Sequence, residues 1–121
     1  MKNELFHALL ADEALLALVG RTGTAGTPCI FFDTPPVHDA LPCVTFFEKD
    51  GSDAVFADDV CIARTVVMQT DVWSRESGTE ICGRVDAVTR MLGYVRANAC
   101  DLPEANLCHA RAVYKKVVYT D

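Results

Sequence analysis

The sequence lacks the features that mark several large classes of protein. Its longest stretch without a charged residue, Thr22–Phe32, is far shorter than the roughly 20 apolar residues that a membrane-spanning helix requires. Acidic residues outnumber Lys and Arg by 17 to 11, so the net charge is -6 and the basic excess that nucleic-acid binders use against phosphates is missing. We therefore expect neither insertion into a membrane nor direct binding to DNA or RNA.

Signatures of metal and cofactor sites are also missing. The six cysteines are widely spaced, and no Cys-x-x-Cys or His-x-x-x-His pair supplies the close ligands of a structural zinc site. The Gly- and Thr-rich stretch Gly20–Pro28 follows a predicted helix and precedes a predicted strand, the reverse of a nucleotide-binding loop. Cys29 and Cys43 lie in apolar segments, where free cysteine behaves as a small hydrophobic residue. We expect no cofactor, no metal and mostly buried thiols.

No catalytic signature surrounds the three histidines, which fall in a predicted helix, a loop and a strand: His7, His38 and His109. A thiol enzyme that uses Cys82 or Cys108 with His109 stays open as an alternative, because catalytic groups assemble in space. In such a site Asp71 or Asp86 would orient the histidine. The N-terminal apolar run is interrupted by His7 and ended by acids, unlike a signal peptide, so we expect a cytoplasmic chain.

Hydrophobic periodicity predicts one α+β domain over residues 1–121. The sheet is expected to be mixed and mainly antiparallel, with about four strands and two helices packed on one face in the order α-β-β-β-α-β. Because a helix joins the last two strands, these are expected to run parallel. The predicted elements, in chain order, are a helix over Leu5–Val19, strands at Cys29–Phe32, Cys43–Glu48 and Cys61–Trp73, a helix that starts at Ser74 or Ser77, and a strand over Leu107–Tyr119.

The second helix carries the clearest apolar stripe, which we expect to face the core: Ile81, Val85, Val88, Met91, Leu92 and Val95. After it, Asp101–Glu104 is predicted to break the chain. Between the second and third strands, Ser52–Asp59 is acidic and alternates poorly. This pattern favours a long exposed hairpin loop over a tight two-residue turn.

Several segments together resemble the phage tail-completion family, whose members are also described as tail terminator or tail-to-head joining proteins. They are the opening Leu9–Gly20, the Leu-Pro before a strand in Leu41–Phe46, the strand end Gln69–Trp73 running straight into a helix, and a closing strand with Tyr114 and Tyr119. The resemblance covers nearly the whole chain in order and in length.

The resemblance implies a non-enzymatic virion protein of long-tailed bacteriophages or prophages. Such a subunit would form a ring, typically a hexamer, at the head-proximal end of the tail, end polymerisation of the tail tube and present a surface to the head connector. The implied partners are further copies of the chain, the major tail-tube protein and a head-completion or connector protein. The implied location is the virion tail, after assembly in the host cytoplasm.

Two segments are the candidate contact sites of such a subunit. The first, the contact loop, would reach a neighbouring subunit or the channel lumen, where acids would repel passing DNA; it comprises Asp50, Ser52, Asp53, Val55, Phe56, Asp58 and Asp59. The second is a partner-facing strand with Lys115, Lys116 and Tyr119, on which the two lysines point to opposite faces. A module that adds a peptide strand to an exposed sheet edge is the remaining alternative.

Overall fold

A computed structural model describes residues 2–22, 26–32, 41–57, 60–104 and 107–119, and along 50–57 and 60–62 that description is of the backbone. The helices are α1 (Lys2–Ala11), α2 (Glu13–Leu16) and α3 (Thr79–Met91). The strands are β1 (Arg21–Thr22), β2 (Thr27–Pro28), β3 (Ile30–Phe32), β4 (Cys43–Ala57), β5 (Val60–Ser74), β6 (Val95–Glu104) and β7 (Leu107–Tyr119).

The main sheet has the strand order β3-β4-β5-β7-β6, and β1 pairs with β2 in a separate small ribbon. The pair β3–β4 is parallel and the other pairs are antiparallel. The α+β class and the mixed, mainly antiparallel sheet are therefore confirmed. Within the described ranges the main sheet has five strands and the chain three helices, one more of each than the sequence predicted.

The additional strand that follows α3 changes the topology. The predicted break at Asp101–Glu104 is wrong, because these residues continue β6, which pairs with β7 from Val95 opposite Lys115 to Glu104 opposite Leu107. β7 is antiparallel to both β5 and β6, so the expected parallel pairing of the last two predicted strands is also wrong. α3 instead joins two strands that run in the same direction, β5 and β6, and β7 lies between them.

The segment predicted as a long hairpin loop is the outer half of β4. Its backbone pairs with β5 as far as Ala57 opposite Val60, so the prediction of a long loop is wrong. The register shifts between Lys49 and Ser52 and twice more before Phe56. Each irregularity breaks the two-residue period, which is why the sequence did not alternate as a strand does. Asp58 and Asp59 lie outside the described residues, as does most of the Pro-rich segment before Leu41.

The first predicted helix is divided in two at Asp12. Its side chain caps α2 by accepting a hydrogen bond from the backbone N of Ala14 at 3.2 Å. The same carboxylate accepts a hydrogen bond from Arg84 Nε of α3 at 3.0 Å. Because Asp12 caps α2 and binds α3, α1 ends before it. These contacts interrupt a helix that the hydrophobic periodicity of the sequence predicted to be continuous.

The core lies between the three helices and one face of the sheet. Its most completely buried side chains come from α1 and α2 (Leu5, Leu9 and Leu15), from α3 (Val85) and from the sheet (Val44, Phe46, Val66, Met68 and Tyr114). Met91, which the sequence placed in the buried stripe, is 83% exposed because α3 ends at this residue. Cys29 and Cys43 are buried, as predicted, but Cys82 is only partly buried and Cys100 and Cys108 are exposed, so the expectation of mostly buried thiols is wrong for the described cysteines.

Candidate functional site

The opposite face of the sheet is not packed against any helix of the described chain; we call it the open face. Side chains alternate along a strand, so the residues between those of the core point to it. On the two central strands it carries Val67, Gln69, Asp71 and Trp73 of β5 and His109, Arg111, Val113, Lys115, Val117 and Tyr119 of β7. Because the described helices pack against only one face of the sheet, the other face is available for contacts with other molecules.

One end of the open face holds a buried polar cluster centred on Asp71. Its Oδ1 accepts hydrogen bonds from His109 Nε2 at 2.8 Å and from Arg111 Nε at 2.9 Å. Its Oδ2 accepts one from Gln69 Nε2 at 3.0 Å. Asp71, Gln69 and His109 are each only 4% exposed, so the carboxylate is compensated by its partners and not by water.

Trp73 covers this cluster. Its ring stacks on that of His109, with centroids 3.6 Å apart and planes 19° from parallel. Its Nε1 donates a hydrogen bond to Thr45 Oγ1 at 3.1 Å, which connects the cluster to β4. Every buried side-chain N or O atom in the described part of the chain has a hydrogen-bond partner. The cluster therefore joins β4, β5 and β7 as a rigid, fully satisfied element.

The structure brings together only part of the thiol site that the sequence left open. Asp71 does meet His109, but Cys82 lies on α3, across the sheet from the open face. Burial, with a further contribution from Asp101, raises the pKa of the Cys82 thiol, which disfavours the reactive thiolate. Cys108 is next to His109 on β7 and so points to the opposite face. Both thiols line the same cleft as His109, but from α3 and from the other face of β7.

Asp86 and the remaining histidines do not build a second centre. Asp86 accepts a hydrogen bond from Tyr114 Oη at 2.8 Å and one from Arg90 Nε at 2.9 Å. His7 is exposed on α1, and His38 lies outside the described residues. Within those residues no group of three or more His, Cys, Asp or Glu side chains is arranged to hold a metal ion.

A cleft of about 660 Å³ lies between α3 and the β6–β7 hairpin. Val72, Val85 and Tyr114 supply apolar lining, and Arg96, Asp101 and Arg111 are its charged residues. The cleft adjoins the core side of the sheet and extends to His109 and Arg111 of the Asp71 cluster. Of the helices that the structure describes, none is long and apolar enough to cross a membrane.

The other end of the open face is apolar and exposed; we call it the apolar patch. It consists of Val95, which is 64% exposed, Val117, 47% exposed, and Tyr119, 70% exposed. Val95 lies opposite the exposed Lys115 in the β6–β7 register, and Lys115 precedes Val117 on the same face of β7. Contiguous exposed apolar side chains mark interaction surfaces more often than isolated ones do. This patch is the strongest candidate for a contact site in the described chain.

The predicted partner-facing strand is divided between the two faces of the sheet. Lys115 and Tyr119 are exposed on the open face. Lys116 points the other way: its Nζ donates a hydrogen bond to the carbonyl O of Leu92 and lies 3.6 Å from Glu4 Oε1. It also lies 5.4 Å from the ring centroid of Tyr94. Lys116 thus connects β7 to the end of α3.

The predicted contact loop lies at the same end of the sheet as the apolar patch. The five of its residues that the structure describes, Asp50, Ser52, Asp53, Val55 and Phe56, have their backbone in β4. Ser52 is opposite Thr65 of β5, which is opposite Val117 of β7. The other two, Asp58 and Asp59, are not among the described residues.

Sequence reasoning placed Asp71 beside His109 only as one option for a thiol site, and it missed the rest of the Asp71 cluster and the contribution of Val95. Gln69, Asp71 and Trp73 do alternate with the apolar residues of β5, and His109 and Arg111 share one side of β7. That alternation was the available signal, but only the register of β5 against β7 shows that the two polar sets meet. Val95 was hidden because it continued the apolar stripe of the preceding helix.

Comparisons with known proteins agree with this architecture. The sequence model of the family described as "Tail completion protein gp17" matches residues 3–121. No curated protein matches the chain. Among solved structures, a chain of "Virion of native gene transfer agent (GTA) particle" is similar, with a TM-score of 0.62 and 18% identity over 99% of this chain and 95% of that one. That likeness shows the fold alone, whereas the family match spans nearly the whole sequence: the chain belongs to the tail completion protein family, as the resemblance predicted.

Proposed function

We propose that the protein is a structural subunit that forms a ring, taken here to be a hexamer, at the head-proximal end of a phage or prophage tail. Membership of the tail completion family supports the tail role. The observation that carries the ring is the apolar patch, because Val95, Val117 and Tyr119 expose apolar area that a single soluble subunit gains nothing from exposing. A ring subunit covers such area with the next copy.

The ring would end polymerisation of the tail tube and join the tail to the head. One rim meets the last tail-tube subunits and the other meets the head-completion or connector protein. The subunit would assemble in the host cytoplasm and remain in the virion tail. This role needs no chemistry, and two features agree with that: Trp73 covers the Asp71–His109 pair, and the Cys82 thiol has a raised pKa.

The two candidate contact segments have distinct roles in this proposal. The acidic outer part of β4, with Asp50 and Asp53, reaches either a neighbouring subunit or the channel lumen. In a lumen, negative charge would repel DNA and keep it moving. Lys115 and Tyr119 face a partner from the open face, whereas Lys116 serves the fold itself.

The test is assembly in the presence of the tail-tube protein of the same phage. Multi-angle light scattering over a concentration series should give a ring-sized species, alone or once tube protein is added, and electron microscopy should show tubes that stop growing. Tyr119→Asp should weaken both effects, since it places a charge in the apolar patch. Met91→Asp, at an exposed apolar residue outside the patch, is the matched control and should change neither. A protein that stays monomeric while tubes grow unchanged would refute the proposal.

A second candidate function, capture of an extended peptide, rests on one observation. β6 is the last strand of the sheet, and its residues from Val95 to Cys100 are all exposed. An exposed strand edge can accept a further strand through its main-chain groups. A monomer that binds a peptide and ignores tail tubes would favour this function over the ring.

A further inference from the structure

We propose that the ring interface joins the apolar patch of one subunit, with Lys115, to the outer segment of β4, Asp50–Ala57, of the next copy. The proposal rests on the ring proposed above and names the two surfaces that form it. It is carried by the charge of the two surfaces, their apolar content and their positions in the sheet.

The first surface combines a cation with exposed apolar side chains. Lys115 is exposed between Val95 on β6 and Val117 on β7. Among the described residues it forms no ion pair, although the protein carries a net charge of -6. An exposed lysine that has no described ion-pair partner and is flanked by apolar side chains is complementary to a surface that combines a carboxylate with apolar side chains.

The second surface has that composition. The outer segment contains two acids, Asp50 and Asp53, followed by Val55 and Phe56, and it contains no basic residue. Asp53 is opposite Arg64 of β5, whereas Asp50 has no β5 residue opposite it in the register. Asp50 and the apolar residues of the segment therefore complement the apolar patch with Lys115. Any other copy of the chain offers a surface of this chemistry.

The two surfaces lie on opposite sides of the subunit. The outer segment belongs to β4, whose outer edge is paired with β3 only from Val44 to Phe46 among the described residues. The apolar patch lies on β7 and β6, at the other side of the sheet. A head-to-tail ring needs two different surfaces on opposite sides of each subunit, and this arrangement supplies them.

The two surfaces also lie at the same height along the strands. Ser52 is level with Thr65 and Val117, and Val55 is level with Ala63 and Tyr119. A head-to-tail contact closes into a ring when the rotation between successive subunits closes, and otherwise it continues as a filament. Two surfaces at equal height on opposite sides of one subunit suit contact between successive copies of the chain.

The experiment is a charge exchange between the two surfaces. Lys115→Glu makes the patch negative, and Asp50→Lys with Asp53→Lys makes the outer segment positive. Each variant alone opposes like charges and should weaken ring formation by about tenfold or more. An equimolar mixture should recover rings, because each surface then meets one of opposite sign on the other variant. Light scattering and native mass spectrometry, with tail-tube protein present, measure both results.

The control is Glu76→Lys, a charge reversal at an exposed residue between β5 and α3, at the opposite end of the sheet from both surfaces. It should leave rings intact, and far-UV circular dichroism should show that all the variants fold. Rings that form equally well with every variant, or a mixture that recovers nothing, would overturn this interface while the ring itself stands. Intact rings that no longer bind tail-tube protein when Lys115 is changed would assign the patch to the tube. If the wild type forms no ring even with tube protein, the proposed function fails first.

Discussion

The carboxylate of Asp71 lies 2.8 Å from His109 Nε2, and this contact joins the two central strands of the sheet on the face that no described helix covers. The two residues are 38 positions apart in the chain. Arg111 and Gln69 donate to the same carboxylate, and Trp73 stacks on the histidine. One buried acid therefore connects three side chains of the open face.

Replacing that acid should destabilise the protein strongly. Asp71→Ala removes the acceptor that His109, Gln69 and Arg111 share, at a cost of about 3 kcal/mol in the free energy of unfolding. Asp71→Asn keeps one acceptor oxygen and should cost less. Urea denaturation followed by Trp73 fluorescence measures both. Equal stability of Asp71→Ala and the wild type would show that the cluster contributes nothing to the fold.

The core face of α3 provides a second prediction. Val85 is 1% exposed, so Val85→Asp buries an unpaired charge and should prevent folding. Leu92→Asp should be less severe, since Leu92 is only partly buried against the core. Met91→Asp is the matched control on the same helix and should change the free energy of unfolding by less than about 0.5 kcal/mol. Thermal melts of the three variants decide the order, and a Met91→Asp variant that fails to fold would contradict it.

The hydrogen bond between Tyr114 and Asp86 makes the stability of the fold decrease at alkaline pH. Burial, together with this hydrogen bond and the charge of Asp86, raises the pKa of Tyr114 well above its ordinary value of 10.0. Since the folded protein keeps the phenol protonated where the unfolded chain ionises it, stability is lost as the pH rises above 10. Tyr114→Phe should lose stability less steeply there, after a loss of about 1.5 kcal/mol at neutral pH.

The Tyr114–Asp86 pair also makes the stability of the fold decrease at acid pH. Burial opposes ionisation of Asp86, but the hydrogen bonds from Tyr114 and Arg90 outweigh it and lower the pKa below its ordinary value of 3.8. The stability that Asp86 contributes is therefore present above pH 3.8 and is lost as the pH falls through the lower, folded value. Urea midpoints from pH 2 to 11 test both limbs, and parallel curves for the wild type and Tyr114→Phe would contradict the assignment.

Thiol labelling gives the fourth prediction. Cys82 is partly buried and its pKa is raised, whereas Cys100 and Cys108 are exposed on β6 and β7. With an alkylating reagent at pH 7.5, Cys100 and Cys108 should react before Cys82, because the thiolate is the reacting form and must be accessible. Peptide mass mapping over time gives the order. Selective, fast labelling of Cys82 would instead support the alternative hypothesis of a thiol enzyme.

Much of the fold follows from local pattern. The core positions Ile81, Val85 and Val88 of α3 and the alternation of β5 and β7 were correctly predicted, because each element shows its own period over a long run. β6 was missed because its apolar first residue, Val95, continues the helical stripe, and because Pro103 reads as a break although it lies near the end of an edge strand. The outer part of β4 was missed because its register shifts remove the alternation.

The sequence by itself determined the class of the protein: one α+β chain with an acidic balance, no signature of metal, cofactor or catalytic chemistry, and the patterned segments that place it in the tail completion family. These are properties of composition and local periodicity, which each segment carries alone. Only the tertiary structure decided that Asp12 binds Arg84 and divides the first helix, and that Asp71 meets His109. It also decided that Val95, Val117 and Tyr119 form one exposed surface. Such contacts depend on strand order and register, which join residues far apart in the chain and are not encoded in any single segment.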